Sequence, residues 1–228
     1  MQVKKFKCRA SASGQIMTNN RTKTGMGATA KTHCETWLKE QLYNSRKTFQ
    51  TKHTQKGNEV EDGSIDFVAD YLGLGMVLKN EEYFENEFAN GTPDVILPDT
   101  IIDVKNSWDC FTFPIFDSNI PTNDYYYQLQ VYMWLTGKRK AKLIYTLMDT
   151  PEHLIEREAY YWCKNNGFDE LDLDIYEKFQ KRLTYDETDD KLKIKVFDIA
   201  YDEAVIEAIK ARVIECRTYI KELLCKLK

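Results

Sequence analysis

The chain has 228 residues, 43% hydrophobic and 13% aromatic, with a formal net charge of −4. That is enough apolar material for one large domain with its own core, and too much for a disordered chain. No stretch is long and apolar enough to span a bilayer and no secretory leader opens the sequence, so a membrane-embedded role is excluded and a cytoplasmic one is expected.

Cys8, Cys34, Cys110, Cys163, Cys216 and Cys225 are scattered with no C-x-x-C pair, a pattern of free thiols rather than a disulfide framework or a zinc ribbon. Charge is unevenly divided. Residues 1–56 hold twelve Lys/Arg against two acids, a net +10, which leaves −14 for the remainder. A basic quarter on an acidic body suggests one surface facing a polyanion, although a solvated basic arm would give the same pattern.

Within Met1–Asn20, the segment CRASASGQIMTNN sets Arg9 among Ser11 and Ser13. An Arg, hydroxyls and amides this close can hold a phosphate. Ser13 can equally cap a short helix over Gln15–Met17. Asn19–Gly27 reads as a basic loop and Ala28–Tyr43 as a helix whose apolar side is Trp37, Leu38 and Leu42. Arg46–Lys56 reads as a polar, basic connection.

Gly57–Leu72 is the next predicted helix, with Ile65, Val68 and Leu72 on one stripe and Glu61 starting that stripe one turn earlier. An acid there either finds a cation or is an ordinary first-turn glutamate favoured by the helix dipole. Gly57, placed ahead of the helix, would let the backbone approach something closely.

Glu82–Phe88 reads as a strand entering an Asn90-Gly91 turn. Gly91–Lys105, GTPDVILPDTIIDVK, then reads as a β-hairpin. Leu97-Pro98-Asp99-Thr100 is turn chemistry, with Pro pre-set for the second position and Asp tolerated at the third. A symmetric loop pairs Leu97 with Thr100, Ile96 with Ile101 and Asp94 with Asp103. Asp94, Asp103 and Lys105 then share one face, and Val95, Leu97, Ile102 and Val104 the other. Two carboxylates held that close need a cation between them, or one keeps its proton. A hard divalent cation suits the pair, with Lys105 aimed into the same site.

Asn106–Thr122 is an aromatic-rich loop, either packed on the core or an apolar wedge for nucleic-acid ends. Asn123 or Asp124 caps an apolar helix, Tyr125–Thr136, stopped by Gly137, in which Gln128, Tyr132 and Leu135 share a face. Lys142–Met148 and Lys191–Ile199 read as strands. Glu152–Asn165, Leu171–Thr184 and Asp202–Lys226 read as helices. The expected fold class is α/β (α+β), a mixed central sheet flanked by helices with C-terminal helical additions.

In this order, G-x-x-x-E (Gly57–Glu61), Pro93-Asp94, D-x-K (Asp103–Lys105) and Q-x-x-x-Y (Gln128–Tyr132) resemble the motifs of the PD-(D/E)xK nucleases of the RecB and lambda-exonuclease (YqaJ-like) type. QLQVYMWLTG in particular is similar to the corresponding helix of the phage enzymes, and the resemblance covers most of the chain. One departure is the D-x-K carboxylate, an Asp where many members carry Glu.

The resemblance implies a single restriction-endonuclease-like nuclease domain over 1–228. Within it, 1–56 faces DNA, 57–150 is the catalytic core and 151–228 is a helical and strand C-terminal part. It implies Mg²⁺-dependent (or Mn²⁺-dependent) exonucleolytic hydrolysis of double-stranded DNA, 5′→3′ in the phage relatives, for recombination by strand annealing.

By motif, Asp94, Asp103 and the Val104 carbonyl would bind metal, Glu61 would orient water or a second ion, and Lys105 would position and help deprotonate the nucleophile. Gln128 would hold Lys105 or a phosphate. Arg9, Ser13, Thr92 and Tyr132 would lie on the DNA side. The relatives form a ring-shaped trimer and work with a single-strand annealing protein. Cys163, Cys216 and Cys225 are too spread for the iron–sulfur cluster of other branches, so none is expected. An endonuclease on the same core, or a catalytically silent DNA-binding subunit, are the alternatives.

Overall fold

The computed structural model describes residues 3–48 and 50–227. Met1, Gln2, Phe49 and Lys228, which fall in the N-terminal, basic-connection and C-terminal ranges assigned above, lie outside the described residues. The chain opens with β1 (Cys8–Arg9), a 3₁₀ turn (Ala10–Ala12), α1 (Ser13–Ile16), α2 (Ala28–Tyr43) and α3 (Lys52–Leu72). Three short strands follow, β2 (Phe84–Glu85), β3 (Ala89–Gly91) and β4 (Val95–Ile96), then β5 (Thr100–Asn106). The rest is α4 (Asn123–Thr136), β6 (Lys140–Thr146), α5 (Glu152–Asn165), α6 (Leu173–Leu183), β7 (Ile194–Ala200) and α7 (Glu203–Cys225).

Four strands form the main sheet in the order β4-β5-β6-β7, antiparallel except for β5 and β6. That parallel pair needs a crossover, and α4 supplies it. A smaller sheet, β1-β3-β2, sits beside it. The alternation expected for β5 is realised. Val95, Ile102 and Val104, with Leu97, pack against Ile65 and Val68 of α3. On the opposite face, Ile101, Leu143 and Phe197 join Leu129 and Met133 of α4 and Ile209 and Val213 of α7.

The hairpin register is as the turn chemistry requires. Val95 pairs with Ile102 and Ile96 with Ile101, and the Leu97 N–H donates to the Thr100 carbonyl at 2.9 Å. Continued by one residue, this opposes Asp94 to Asp103. Burying each of the four apolar side chains on the α3 face is worth ~1.5–3 kcal/mol. Two carboxylates ~4 Å apart at a protein-like dielectric repel by only ~4 kcal/mol. A one-residue slip would expose the whole apolar set, so hydrophobic burial dictates the register and the acids are carried with it.

Several local expectations are corrected. α3 begins five residues ahead of Gly57, because Thr51 and Thr54 form a reciprocal cap: the Thr54 N–H donates to Thr51 Oγ1 and the Thr51 N–H to Thr54 Oγ1. Gly57 is therefore inside a helix, with nothing within 4 Å of where a Cβ would stand, and no close approach occurs there.

Asn90-Gly91 is strand rather than turn. The turn lies at Asn86, whose side chain accepts from the Phe88 and Ala89 N–H groups. At Gly91 a Cβ would meet Tyr132 Cε1 at 2.7 Å and Ala10 Cβ at 2.9 Å, so glycine is needed for packing. Ser13 caps nothing: its hydroxyl donates to the Ala10 carbonyl at 2.6 Å. Thr122, not Asn123 or Asp124, caps α4. β6 lies two residues earlier than expected, β7 starts three residues later and ends one later, and α6 is shorter at its start by two.

Candidate active site

Asp94 stands just ahead of β4, Asp103 and Lys105 on β5, and Gln128 and Tyr132 one turn apart on α4. The crossover brings α4 over the face of β5 that carries Asp103. Gln128 Nε2 donates to Asp103 Oδ1 and to Tyr132 Oη, both at 3.1 Å. Gln128 thus anchors the carboxylate, where the sequence suggested Lys105 or a phosphate. Lys105 instead lies 2.6 Å from Asp103 Oδ2 and 5.1 Å from the centre of the Tyr125 ring. Val104 donates its N–H to Asp94 Oδ2 at 2.8 Å. A strand residue turns its N–H and C=O to the same edge, so the Val104 carbonyl faces the edge that β4 has vacated, beside Asp94.

Asp103 is fully buried, and its Oδ2 has no hydrogen-bond partner. The Lys105 ammonium, 2.6 Å away, supplies the opposing charge at that oxygen. Burial, and then the charge on Asp103, push the Asp94 carboxyl up to about 7, against the opposing pull of Lys105 and the Val104 amide. Burial alone would lower Lys105, but Asp103 and Asp94 outweigh it and hold the ammonium well above its ordinary range. Tyr132 is pushed upward by burial and by Asp103, so its hydroxyl stays protonated.

The donor chemistry fits a hard divalent cation. A buried carboxylate oxygen contacted by the Lys105 ammonium, a second carboxylate and a carbonyl facing the vacated edge match the few protein ligands that Mg²⁺ takes alongside waters and phosphate oxygens. Among the described residues, no three His, Cys, Asp or Glu side chains form a closed ligand set.

Glu61 is not drawn into the cluster. Its carboxylate is 2.8 Å from Lys79 Nζ, an ammonium that also lies 3.1 Å from Asp62. It stands near enough to Asp94 to add to the upward push there. The same loop is pinned to the Pro93-Asp94 backbone: the Asn80 N–H donates to the Asp94 carbonyl at 2.7 Å and Asn80 Nδ2 to the Pro93 carbonyl at 3.0 Å. Lys79 and Asn80 carry no sequence signal, since they lie in an irregular stretch. Tyr125 was legible, being one turn before Gln128 on the same helix.

Arg9 lies in β1 opposite Asn90, two residues from the exposed Thr92. The small sheet therefore brings the N-terminal segment to the approach to Asp94. The Arg9 guanidinium is 2.9 Å from Glu40 and borders a groove of about 610 Å³ with Ser11, Gln15, His33 and Lys47. Ser13 is buried and faces the interior. Part of the basic excess is spent within the molecule, with Lys5, Lys7 and Lys52 paired to Glu87, Glu85 and Glu158. In the aromatic loop, Trp108 and Phe113 are core, whereas Phe111 and Phe116 are 83% and 93% exposed.

The geometry can be set beside known proteins. The chain is similar to the crystal structure of a phage related exonuclease from Haemophilus somnus 129PT, at 28% identity, covering 99% of this chain and 98% of that one, with a TM-score of 0.79. Its fold is that of a phage-type exonuclease. An alkaline exonuclease, LHK-Exo from Laribacter hongkongensis, shares the exonuclease fold at 16% identity and a TM-score of 0.64, over 97% of this chain and 93% of that one. The same enzyme in complex with dAMP gives a TM-score of 0.63. No family model matches the sequence, and no curated protein matches it. No helix is long and apolar enough to cross a membrane among the described residues.

Proposed function

We propose that the chain is a metal-dependent deoxyribonuclease that removes nucleotides from the ends of linear double-stranded DNA. The observation that carries this reading is the hairpin register opposing Asp94 to Asp103, with Lys105 on the same face and Asp103 locked by Gln128. Similarity to a phage related exonuclease over nearly the whole chain supports it.

Asp94, Asp103 and the Val104 carbonyl would hold Mg²⁺, or Mn²⁺ in its place. When bound, the ion supplies Lewis-acid polarisation of the scissile phosphate and makes water more acidic. Gln128 keeps Asp103 turned toward the site. Lys105, kept charged by two carboxylates, steadies negative charge developing on the phosphate and orients the attacking water. Glu61 joins as a water-orienting group or second-ion ligand once released from Lys79. Arg9 and Thr92 receive the terminal phosphate, Ser13 props that segment from within, and Tyr132 acts through Gln128.

By the resemblance of its motifs to the phage enzymes, the proposal extends to 5′→3′ polarity, 3′ single strands for recombination with an annealing protein, a ring-shaped trimer, a cytoplasmic setting and no iron–sulfur cluster. An end-labelled linear duplex and a closed circle of the same sequence, each with Mg²⁺ and with chelator, test it. Release of nucleotides from the linear duplex alone, and only with Mg²⁺, is the expected result. Cutting of the closed circle would make the chain an endonuclease, and no cutting of either would leave a DNA-binding subunit.

A further inference from the structure

The main sheet ends in an open edge. The Leu147 N–H donates to the Lys193 carbonyl at 2.9 Å and the Tyr201 N–H to the Arg139 carbonyl at 3.1 Å. Between them, β7 runs in unbroken register against β6, from Ile194 opposite Thr146 to Ala200 opposite Lys140. Odd-numbered residues of β7 therefore exchange hydrogen bonds with β6, and even-numbered ones turn N–H and C=O outward. Gln130 Nε2 takes the Ala200 carbonyl at 2.8 Å. Among the described residues, the outward groups of Val196 and Asp198 have no hydrogen-bond partner. No proline or bulge blunts this edge, although exposed edges are usually protected.

Alongside the edge runs a cleft of about 790 Å³, whose far wall is Ser118–Ile120 with Asn123 and Tyr126 at the start of α4. That wall flanks the edge along one side, leaving a slot beside the outward groups of β7. Its lining includes Asp198, Asp202 and Glu203 and no Lys or Arg. Lys142 pairs with Asp198 from outside the slot, Arg139 is 3.8 Å from Glu203, and Asp202 caps α7. Carboxylates on the lining disfavour a polyanion, so this is not a further path for DNA.

We propose that the slot beside β7 binds an extended, basic polypeptide segment of a partner protein, which adds to the sheet as a fifth strand. The incoming backbone pairs with the outward groups of Val196 and Asp198. Its alternate side chains meet Ile120 and Tyr126, and its lysines or arginines compete with Lys142 for Asp198 and with Arg139 for Glu203. The proposal is independent of the catalytic reading, because nothing in the slot belongs to the Asp94–Asp103 site.

The test uses a fluorescein-labelled peptide of alternating lysine and valine, matched in length to β7, read by anisotropy against the full chain. Two control peptides share its length: one of the same composition with a central proline, one with glutamate replacing lysine. Val196→Pro removes an outward N–H while leaving the bonds to β6 intact, and should weaken binding by about tenfold or more. Glu203→Lys should weaken it without touching the strand.

Hydrogen exchange at the Val196 and Asp198 amides of the unmutated chain should slow when the peptide is added, a readout that does not depend on any variant folding. Equal binding by the proline-bearing or glutamate peptide, or no binding at all, overturns the proposal. So does unchanged exchange at those two amides. A concentration-dependent dimer abolished by Val196→Pro would assign the edge to a second copy of this chain and overturn it as well.

Discussion

Replacing Asp94 with Asn should make the metal-free protein more stable while ending its response to divalent ions. The Asp94 carboxyl is raised from 3.8 to about 7, first by burial and then by Asp103. At ~1.4 kcal/mol per unit, keeping it ionised costs the fold about 4 kcal/mol above pH 7. In the window between the unfolded and folded values the native state binds the extra proton, so stability falls as pH rises from about 4 to about 7 and then levels. Asn carries no charge and can still accept from the Val104 N–H, so Asp94→Asn avoids this cost.

Urea unfolding in chelator should therefore show the variant more stable by about 2–4 kcal/mol at pH 8, with the gap closing toward pH 4. Added Mg²⁺ should raise the midpoint of the parent and leave that of the variant unmoved. A variant less stable than the parent at pH 8, or a gap independent of pH, would refute the idea that the fold holds Asp94 against the cost of its burial and of the charge on Asp103.

Gln128→Met leaves Asp103 Oδ1 and the Tyr132 hydroxyl without their shared amide donor; equilibrium denaturation should show a loss of ~2–3 kcal/mol, and calorimetry a weaker affinity for divalent ions. Gly57→Ala, at a helical position open to solvent, should raise stability by ~0.5–1 kcal/mol in thermal melts. Gly14→Ala should do the reverse by several times as much, because its Cβ would fall 2.6 Å from the Asp124 Cα and force α1 off α4. Lys56 is buried, donates to the Trp108 carbonyl at 2.9 Å, and is brought down to about 8 by burial. Its folded state binds fewer protons than the unfolded chain between about pH 8 and 10.5, so stability of the parent relative to Lys56→Met should rise with pH across that window.

The hairpin that carries Asp94, Asp103 and Lys105 was legible because two independent signals agree on it. The Pro98-Asp99 turn fixes where the chain reverses, and the apolar set Val95, Leu97, Ile102 and Val104 fixes which face is buried. Together they leave one register, and the acids follow from it. α2 and α5 were legible for a related reason, being apolar-periodic segments with clean ends.

The start of α3 was not, because a Thr51–Thr54 cap among lysines looks like a polar linker and Gly57 suggests a boundary. Asn90-Gly91 carries a turn's composition, but the packing of Tyr132 on Gly91 makes it strand. Strands of two residues, such as β2 and β4, are too short to show a period. The partners of Glu61 and Gln128 were hidden for a deeper reason. Each is chosen by tertiary approach, Lys79 from an irregular loop and Asp103 from across the crossover, and neither separation is encoded in local spacing.

In the proposed function, the opposed carboxylates hold the ion on which cleavage depends. The most direct test of this is a Mg²⁺ titration of the parent and of Asp103→Asn, following heat of binding and release of nucleotides from a linear duplex in parallel samples. The parent should bind and cleave over the same range of Mg²⁺, and Asp103→Asn should do neither while still retaining DNA. Undiminished nucleotide release by Asp103→Asn, or release by the parent in chelator, would contradict the claim.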